Sequence, residues 1–389
     1  MKRTLLKQLE EIEKGGNYRS IKYLYPLSST RIRYNGQDML NLCSNSYLSL
    51  HTHPDVLASA KKAVDEYGAG ACSSRSVSGS IDLYDHLEGH IAQYKGYKRG
   101  LVFSNGYMAN IGIISTLLGK EDLVFSDELN HSSLIDAIRL SGAKKVIYRH
   151  GDMGDLEKKI KKSAGKARKV VITETIFSMD GDVAPLRDIY ELKKKHGLHV
   201  FVDDAHGTGV FGDKGTGVEE VFNLAGKMDI HMATFGKSLG SFGAFVLSDP
   251  VVIEFLINRA RTFMYTTALP PATLAASSAA LKLVEKDTSY KETLWKNIDY
   301  VRRHLTEAGF DLKKSVGPIV PIVVGEDAKT LDAQVALMRK GLFLQAIRPP
   351  TVPEGTSRLR LTVVAGFTRK DMDYAADALI VVGKKMRLI

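Results

Sequence analysis

His199-Val200-Phe201-Val202-Asp203-Asp204-Ala205-His206-Gly207-Thr208-Gly209 runs an apolar stretch into two carboxylates, a histidine and a glycine-rich loop. Val200-Phe201-Val202 is short and apolar at every position, the pattern of a strand buried on both faces in a parallel sheet. Lys237 stands 34 residues beyond Asp203, closing the segment Thr234-Phe235-Gly236-Lys237. That spacing suits one strand–helix–strand unit. Ligands of open α/β sheets bind beyond the carboxyl ends of the strands. Asp203 and Lys237 are therefore expected at one edge of one sheet.

Working outward, the same strand pattern recurs in Leu101-Val102-Phe103, Leu123-Val124-Phe125, Lys145-Val146-Ile147-Tyr148 and Val170-Val171-Ile172-Thr173. Ile230 to Ala233 and Gly243 to Leu247 repeat it. Helix-length segments separate these runs. One of them, Leu186 to His196, stops at Gly197, a residue suited to a helix C-terminus. The alternation predicts an α/β fold with a mostly parallel sheet covered by helices on both faces. The ends differ. Met1 to Lys14 reads as a charged helix, and Tyr290 to Ala308 as another. Beyond it, Pro318, Pro321, Pro349, Pro350 and Pro353 interrupt the chain, while Ile319 to Val324 and Arg358 to Val363 read as strands flanking a helix from Leu331 to Lys340. The expected division is an N-terminal segment, 1–44, joining a small α+β domain at 285–389, with a large domain at 45–284.

Composition narrows the function classes. The 389 residues are 44% hydrophobic and 25% charged, ordinary for a globular protein and unlike a disordered or fibrous one. Two cysteines, Cys43 and Cys72, cannot build a disulfide framework or a four-thiolate zinc site. The net charge of +10 would suit nucleic acid, but the lysines are scattered or sit in runs such as Lys193-Lys194-Lys195 without interleaved aromatics. A solvated basic surface is the better reading, with attraction to small anions or an acidic partner left open. Met1 to Ser20 is charged and lacks an apolar signal core. Polar residues break Gly100–Gly119, and Pro270-Pro271 break Thr262–Leu281, so no spanning helix is expected. The expectation is a soluble cytoplasmic protein that binds neither nucleic acid nor membrane.

Three short motif matches fail on context. Gly207 to Gly212 fits G-x-G-x-x-G, but Asp213, Gly215 and Gly217 prolong a loop where a dinucleotide site needs a helix. Gly236-Lys237-Ser238 ends like a P-loop, yet His231 stands where the first glycine belongs. Asp203 and Asp204, as neighbours on a strand, point to opposite faces, so with His206 they make no metal site. The informative set is Asp203 with Lys237. As an isolated pair they read first as a salt bridge, but a carboxylate under a pyridinium nitrogen and a lysine able to hold the carbonyl are also the two parts pyridoxal phosphate requires. Ser104-Asn105-Gly106-Tyr107, between a strand and a helix, reads equally as an ordinary turn or as a set of amides offered to a phosphate.

Thr173-Glu174-Thr175-Ile176-Phe177-Ser178-Met179-Asp180-Gly181-Asp182, Val202 to Gly209 and Thr234 to Lys237 together resemble the α-oxoamine synthase family. The resemblance runs from about Asn41 to Thr362, with the motifs in order. It implies an aspartate-aminotransferase-like fold, fold type I among pyridoxal-phosphate enzymes, and a homodimer. It also implies roles. Lys237 would hold the cofactor and act as base at the amino-acid Cα, and Asp203 would pair with the ring nitrogen. His131 would stack on the ring and face the substrate, and His206 and Ser178 would bond near the 3′-oxygen. Gly106, Tyr107 and Thr234 would surround the phosphate, with Thr266 reaching that of the neighbouring subunit. Arg360 would take the amino-acid carboxylate, and Arg19, Arg348 and Thr351 the far end of the acyl group. Ala346-Ile347-Arg348-Pro349-Pro350-Thr351-Val352-Pro353 resembles the branch that joins L-alanine to a pimeloyl thioester, carried by coenzyme A or acyl carrier protein. The products implied are 8-amino-7-oxononanoate, carbon dioxide and free thiol carrier, in biotin synthesis. The alternative branch is a glycine C-acetyltransferase. Three places depart from the family pattern: Asn45-Ser46-Tyr47-Leu48-Ser49, His150-Gly151-Asp152, and Phe367 where a histidine is common.

Overall fold

The computed structural model describes residues 1–16, 18–163, 165 and 167–389. The chain divides into two compact units. The larger comprises Leu48–Ser178 and Asp182–Lys291, and the smaller Met1–Tyr47, Met179–Gly181 and Glu292–Ile389.

A seven-stranded sheet organises the larger unit. Its strands are β1 (Arg99–Phe103), β2 (Leu123–Asp127), β3 (Lys144–Tyr148), β4 (Lys169–Glu174), β5 (His199–Asp203), β6 (Ile230–Thr234) and β7 (Ala244–Ser248), in the order β1-β7-β6-β5-β4-β2-β3. All neighbours from β6 to β3 are parallel; β7 runs antiparallel to both β1 and β6. Every strand read from the sequence is present, each with its ends within two residues. The residues of β2 and β7 are buried without a break. Successive side chains face opposite sides, so both faces of the sheet are covered there. Parallel pairing at β4, β5 and β6 sends their carboxyl ends, Glu174, Asp203 and Thr234, to the same edge. The helix α1 (Gly106–Leu117) follows β1, and α2 (Ser132–Ser141) follows β2. The helix Leu186–His196 stops at Gly197, which takes the left-handed conformation at φ 62°.

The smaller unit holds two sheets. Tyr25–Pro26, Arg31–Tyr34, Gln37–Asn41 and Leu342–Phe343 form one, so the N-terminal and C-terminal segments share a sheet. Ile319–Gly325, Ser357–Thr362 and Gln345–Ile347 form an antiparallel second. The helix between them begins at Asp327, one turn before the expected Leu331. Met179–Gly181 joins this unit through a bond from Val316 N to Gly181 O and an Arg358–Asp180 ion pair of 2.6 Å. Gly181 is at φ 71°, and a Cβ there would meet the Ile319 carbonyl at 2.4 Å.

Among the described residues, no helix is long and apolar enough to cross a membrane. Phe125 sits at the middle of β2, fully buried between Val146 and Val171 on the flanking strands. Phe125→Ala should lower the unfolding free energy of the larger unit by about 3–5 kcal/mol. A urea titration that left its unfolding midpoint in place would contradict this packing.

Candidate active site

Asp203 ends β5 with its carboxylate buried. One oxygen accepts the Ala205 backbone N–H at 3.0 Å, and the other accepts Asn110 Nδ2 at 2.9 Å. Asn110 lies on α1, and its amide also donates to Ser133 Oγ at 2.9 Å. Ser133 Oγ lies 2.8 Å from His131 Nδ1. His131 is therefore tied to Asp203 through two side chains. Its backbone N–H donates to Glu174 at 2.6 Å. Glu174 is buried at the end of β4; burial, reinforced by the nearby Asp203 charge, pushes its carboxyl well above the usual carboxylate range.

The next corner is built from the start of α1. Asn105 caps the helix by accepting the Met108 N–H at 2.9 Å. Two buried hydroxyls, Ser104 Oγ and Thr234 Oγ1, have no hydrogen-bond partner among the described residues. Gly106 lies against Thr234, and a Cβ there would fall 2.9 Å from Thr234 Cγ2. Tyr107 turns its hydroxyl to Asp136 and packs edge-on to His131. Thr266 is half-buried beside Thr267, which bridges to Ser74.

Lys237 lies half-buried in the bend after β6, one strand over from Asp203. His206 is buried in the turn after β5. Ser178 is half-buried just after Ile176, which bridges to Val183. Asp204 faces away from Asp203, as adjacent strand residues must. It is fully buried and pairs with Lys95 at 2.8 Å. Burial opposes its ionisation, but Lys95 and then His231 outweigh that, and its pKa is lowered. A cleft of about 500 Å³ opens at the opposite edge of the sheet, among Ile113, Leu117, His199, Phe201 and Ile230. Its polar lining is taken up internally: Asp229 pairs with Lys193 at 2.7 Å and with His199 at 3.5 Å.

The smaller unit holds the arginines. Arg360, on the strand Ser357–Thr362, is buried and donates from both terminal nitrogens to Asn45 Oδ1 at 3.2 Å. It also donates to Thr362 Oγ1 at 3.0 Å. Arg19 donates to Thr351 Oγ1 at 3.2 Å, and Arg348 to the Gly16 carbonyl. The structure thus brings Arg19, Thr351 and Arg348 together around one N-terminal segment and places Arg360 on another element.

Comparison with known proteins gives a consistent result. The model of the aminotransferase class I and II family matches residues 37–379. An 8-amino-7-oxononanoate synthase of Citrifermentans bemidjiense is 43% identical over 99% of this chain and 100% of its own length. That of Geobacter sulfurreducens is also 43% identical, over the full length of both. The chain belongs to the aminotransferase class I and II family, and within it to the α-oxoamine synthases. Among solved members of that family, the serine palmitoyltransferase of S. paucimobilis, with a PLP–myriocin adduct bound, superposes with a TM-score of 0.94. It is 30% identical and covers 99% of this chain and 98% of its own. An 8-amino-7-oxononanoate synthase of Francisella tularensis superposes at 0.77, with 28% identity, over 90% of this chain and 98% of its own.

Sequence reasoning missed Asn110, Ser133 and Glu174 in this α-oxoamine synthase. Asn110 carried a signal: it is the one amide side chain in the otherwise mostly apolar run Met108 to Ile114. His150 was noted only as a departure. It bridges Asp127 at 2.9 Å and Asp182 at 2.8 Å, edge-on to Phe177 beside Ser178. Burial works against its protonation, but the two carboxylates prevail and push its pKa up to about 10. The folded value exceeds the ordinary 6.5, so this contribution to stability is complete below about pH 6.5 and fades as pH rises toward 10. His150→Gln should therefore flatten the decline of thermal stability across that window. An unchanged slope would show that the bridge adds no pH dependence.

Proposed function

We propose that the chain is a pyridoxal-phosphate-dependent acyltransferase that condenses L-alanine with a pimeloyl thioester. The products are 8-amino-7-oxononanoate, carbon dioxide and the free thiol carrier, a step of biotin biosynthesis. The observation that carries the chemistry is the edge where Asp203, held by Asn110 and Ala205, stands one strand from Lys237. The observation that favours the substrate pair is the 43% full-length identity to 8-amino-7-oxononanoate synthases, against 30% to a serine palmitoyltransferase of higher structural similarity.

The residues fit the cofactor. Thr234 Oγ1 is a buried donor without a partner among the described residues, and Thr234 lies against Gly106 at a helix N-terminus, which suits a phosphate. Bound there, pyridoxal phosphate supplies an electron sink for the amino-acid Cα. Asp203 would pair with the ring nitrogen and keep it protonated. His131 would pack against the ring and face the substrate. His206 and Ser178 would bond near the 3′-oxygen, and Tyr107 would flank the phosphate. Lys237 would hold the cofactor, and its amine would accept the Cα proton of alanine. Arg360 binds the alanine carboxylate with its guanidinium fork. Arg19, Arg348 and Thr351 receive the distal carboxylate of the pimeloyl group or product.

The working form is a homodimer in the cytoplasm. Val77 is 79% exposed and Tyr265 71%, and Ser76 bonds to Met264, so the two lie on linked segments beside Thr266. Such apolar surface suits a second copy of the chain, with Thr266 reaching the partner's phosphate. Cys43 and Cys72 are free thiols, as a reducing compartment allows.

The test is thiol release by protein loaded with pyridoxal phosphate. L-alanine and glycine are compared as acceptors, with pimeloyl-CoA, pimeloyl-acyl carrier protein and acetyl-CoA as thioesters. Release that requires L-alanine with a pimeloyl thioester is expected. Glycine with acetyl-CoA as the productive pair would move the enzyme to the acetyltransferase branch. Lys237→Ala should lower turnover by roughly 10³-fold or more, and near-normal turnover would end the proposed role of that lysine.

A further inference from the structure

The glycine-rich loop Gly207 to Gly217, whose match to a dinucleotide motif fails on context, closes on the side chain of Asp204. A Cβ on Gly207 would fall 2.1 Å from one Asp204 oxygen, and a Cβ on Gly217 would fall 2.2 Å from the other. Glycine at both positions lets the loop close round a carboxylate that is wholly out of water. Inside this wrapping, Asp204 Oδ1 accepts Thr175 Oγ1 at 2.6 Å. Asp204 Oδ2 accepts Lys95 Nζ at 2.8 Å and Thr208 Oγ1 at 2.8 Å. Lys95, the last residue of the helix Asp82–Lys95, is 3% exposed and also reaches Thr208 Oγ1 at 2.8 Å. The ion pair therefore grips Thr208 from two directions.

Thr208 passes that grip onward. Its carbonyl accepts Ser238 Oγ at 2.5 Å, and Ser238 is 1% exposed and adjacent to Lys237. Gly209, at φ 79°, has no room for a side chain, since a Cβ would lie 2.8 Å from Ser238 Oγ. The Asp204 carbonyl meanwhile accepts Gly207 N at 3.1 Å and Thr208 N at 3.2 Å, closing the turn that carries His206.

We propose that the Lys95–Asp204 ion pair, acting through Thr208 and Ser238, is the positioning device for Lys237 and for the His206 turn. This rests on the role given to Lys237 above. Neither Lys95 nor Asp204 touches the reacting atoms; both are positioning residues. A misplacement of the base by a fraction of an ångström to one ångström is enough to slow a proton transfer substantially.

The test uses the full-length holoenzyme and the variants Ser238→Ala, Thr208→Val, Lys95→Met and the double variant Lys95→Met with Ser238→Ala. Each is measured for thermal midpoint, pyridoxal-phosphate affinity, the visible circular-dichroism band of the bound cofactor, and kcat and KM for L-alanine. Ser238→Ala and Lys95→Met should each lower kcat between about tenfold and a hundredfold, with KM for L-alanine nearly unchanged. Both should alter the circular-dichroism band, which a purely structural loss elsewhere in a folded protein would leave alone. The double variant should be no slower than the slower single one, because both break the same link. Folded variants with wild-type kcat and an unaltered band would overturn the proposal, as would losses that multiply in the double variant. Should Lys95→Met not fold, Ser238→Ala and Thr208→Val decide by the same criterion. A wild-type protein that binds no pyridoxal phosphate would instead refute the underlying reading of the site.

Discussion

Two adjacent carboxylates at the end of β5 face opposite ways, and the site depends on how differently they are held. Asp203 is held by neutral donors, an amide side chain and a backbone N–H. Neither of those donors carries a charge of its own. Asp204 is matched directly by Lys95 inside the protein. Removing one partner of such a buried pair commonly costs about 3–5 kcal/mol, because the other charge remains desolvated. The same strand end thus holds a carboxylate among neutral donors on one side and a closed, self-satisfied anchor on the other.

The sheet was legible because parallel strands buried on both faces leave a plain mark, short runs of uninterrupted apolar residues between helix-length segments. Even Ala244–Ser248, antiparallel to its neighbours, was visible as a strand. Its direction was not, since burial on both faces erases the alternation that would separate the cases. Met179–Gly181 was illegible for another reason. Its place in the smaller unit rests on Gly181 fitting against the Ile319 carbonyl and on Asp180 meeting Arg358, contacts far apart in sequence. No local pattern encodes such a pairing.

The site divides in the same manner. The placement of Asp203, His206 and Lys237 at one edge was legible because neighbouring parallel strands end on the same side of a sheet. Their supports were not. Lys95 looks like any basic residue closing a helix, where a cation favours the helix dipole and solvent normally surrounds it. Its burial is a tertiary fact. Glu174 sat inside a quoted motif, yet nothing in its spacing tells that burial and Asp203 raise its pKa or that it holds the backbone of His131. The glycines from Gly207 were read correctly as a loop, but their cause, a carboxylate needing close wrapping, requires coordinates.

Structural likeness and substrate choice part company in this family. A serine palmitoyltransferase superposes at a TM-score of 0.94, whereas an 8-amino-7-oxononanoate synthase superposes at 0.77. Backbone similarity follows the sheets and helices that make up most of the chain. Selection of the acyl group falls to a few side chains whose replacement leaves the backbone where it is. Arg19, Arg348 and Thr351, proposed above for the far end of the acyl group, meet on the Arg348 to Thr351 turn and the N-terminal segment, and none forms part of the central sheet. A carboxylate-ended acyl chain needs a cation at its far end, and a plain fatty acyl chain does not. Identity along the whole chain is therefore a better guide to the thioester than superposition, because it counts these side chains while superposition passes over them.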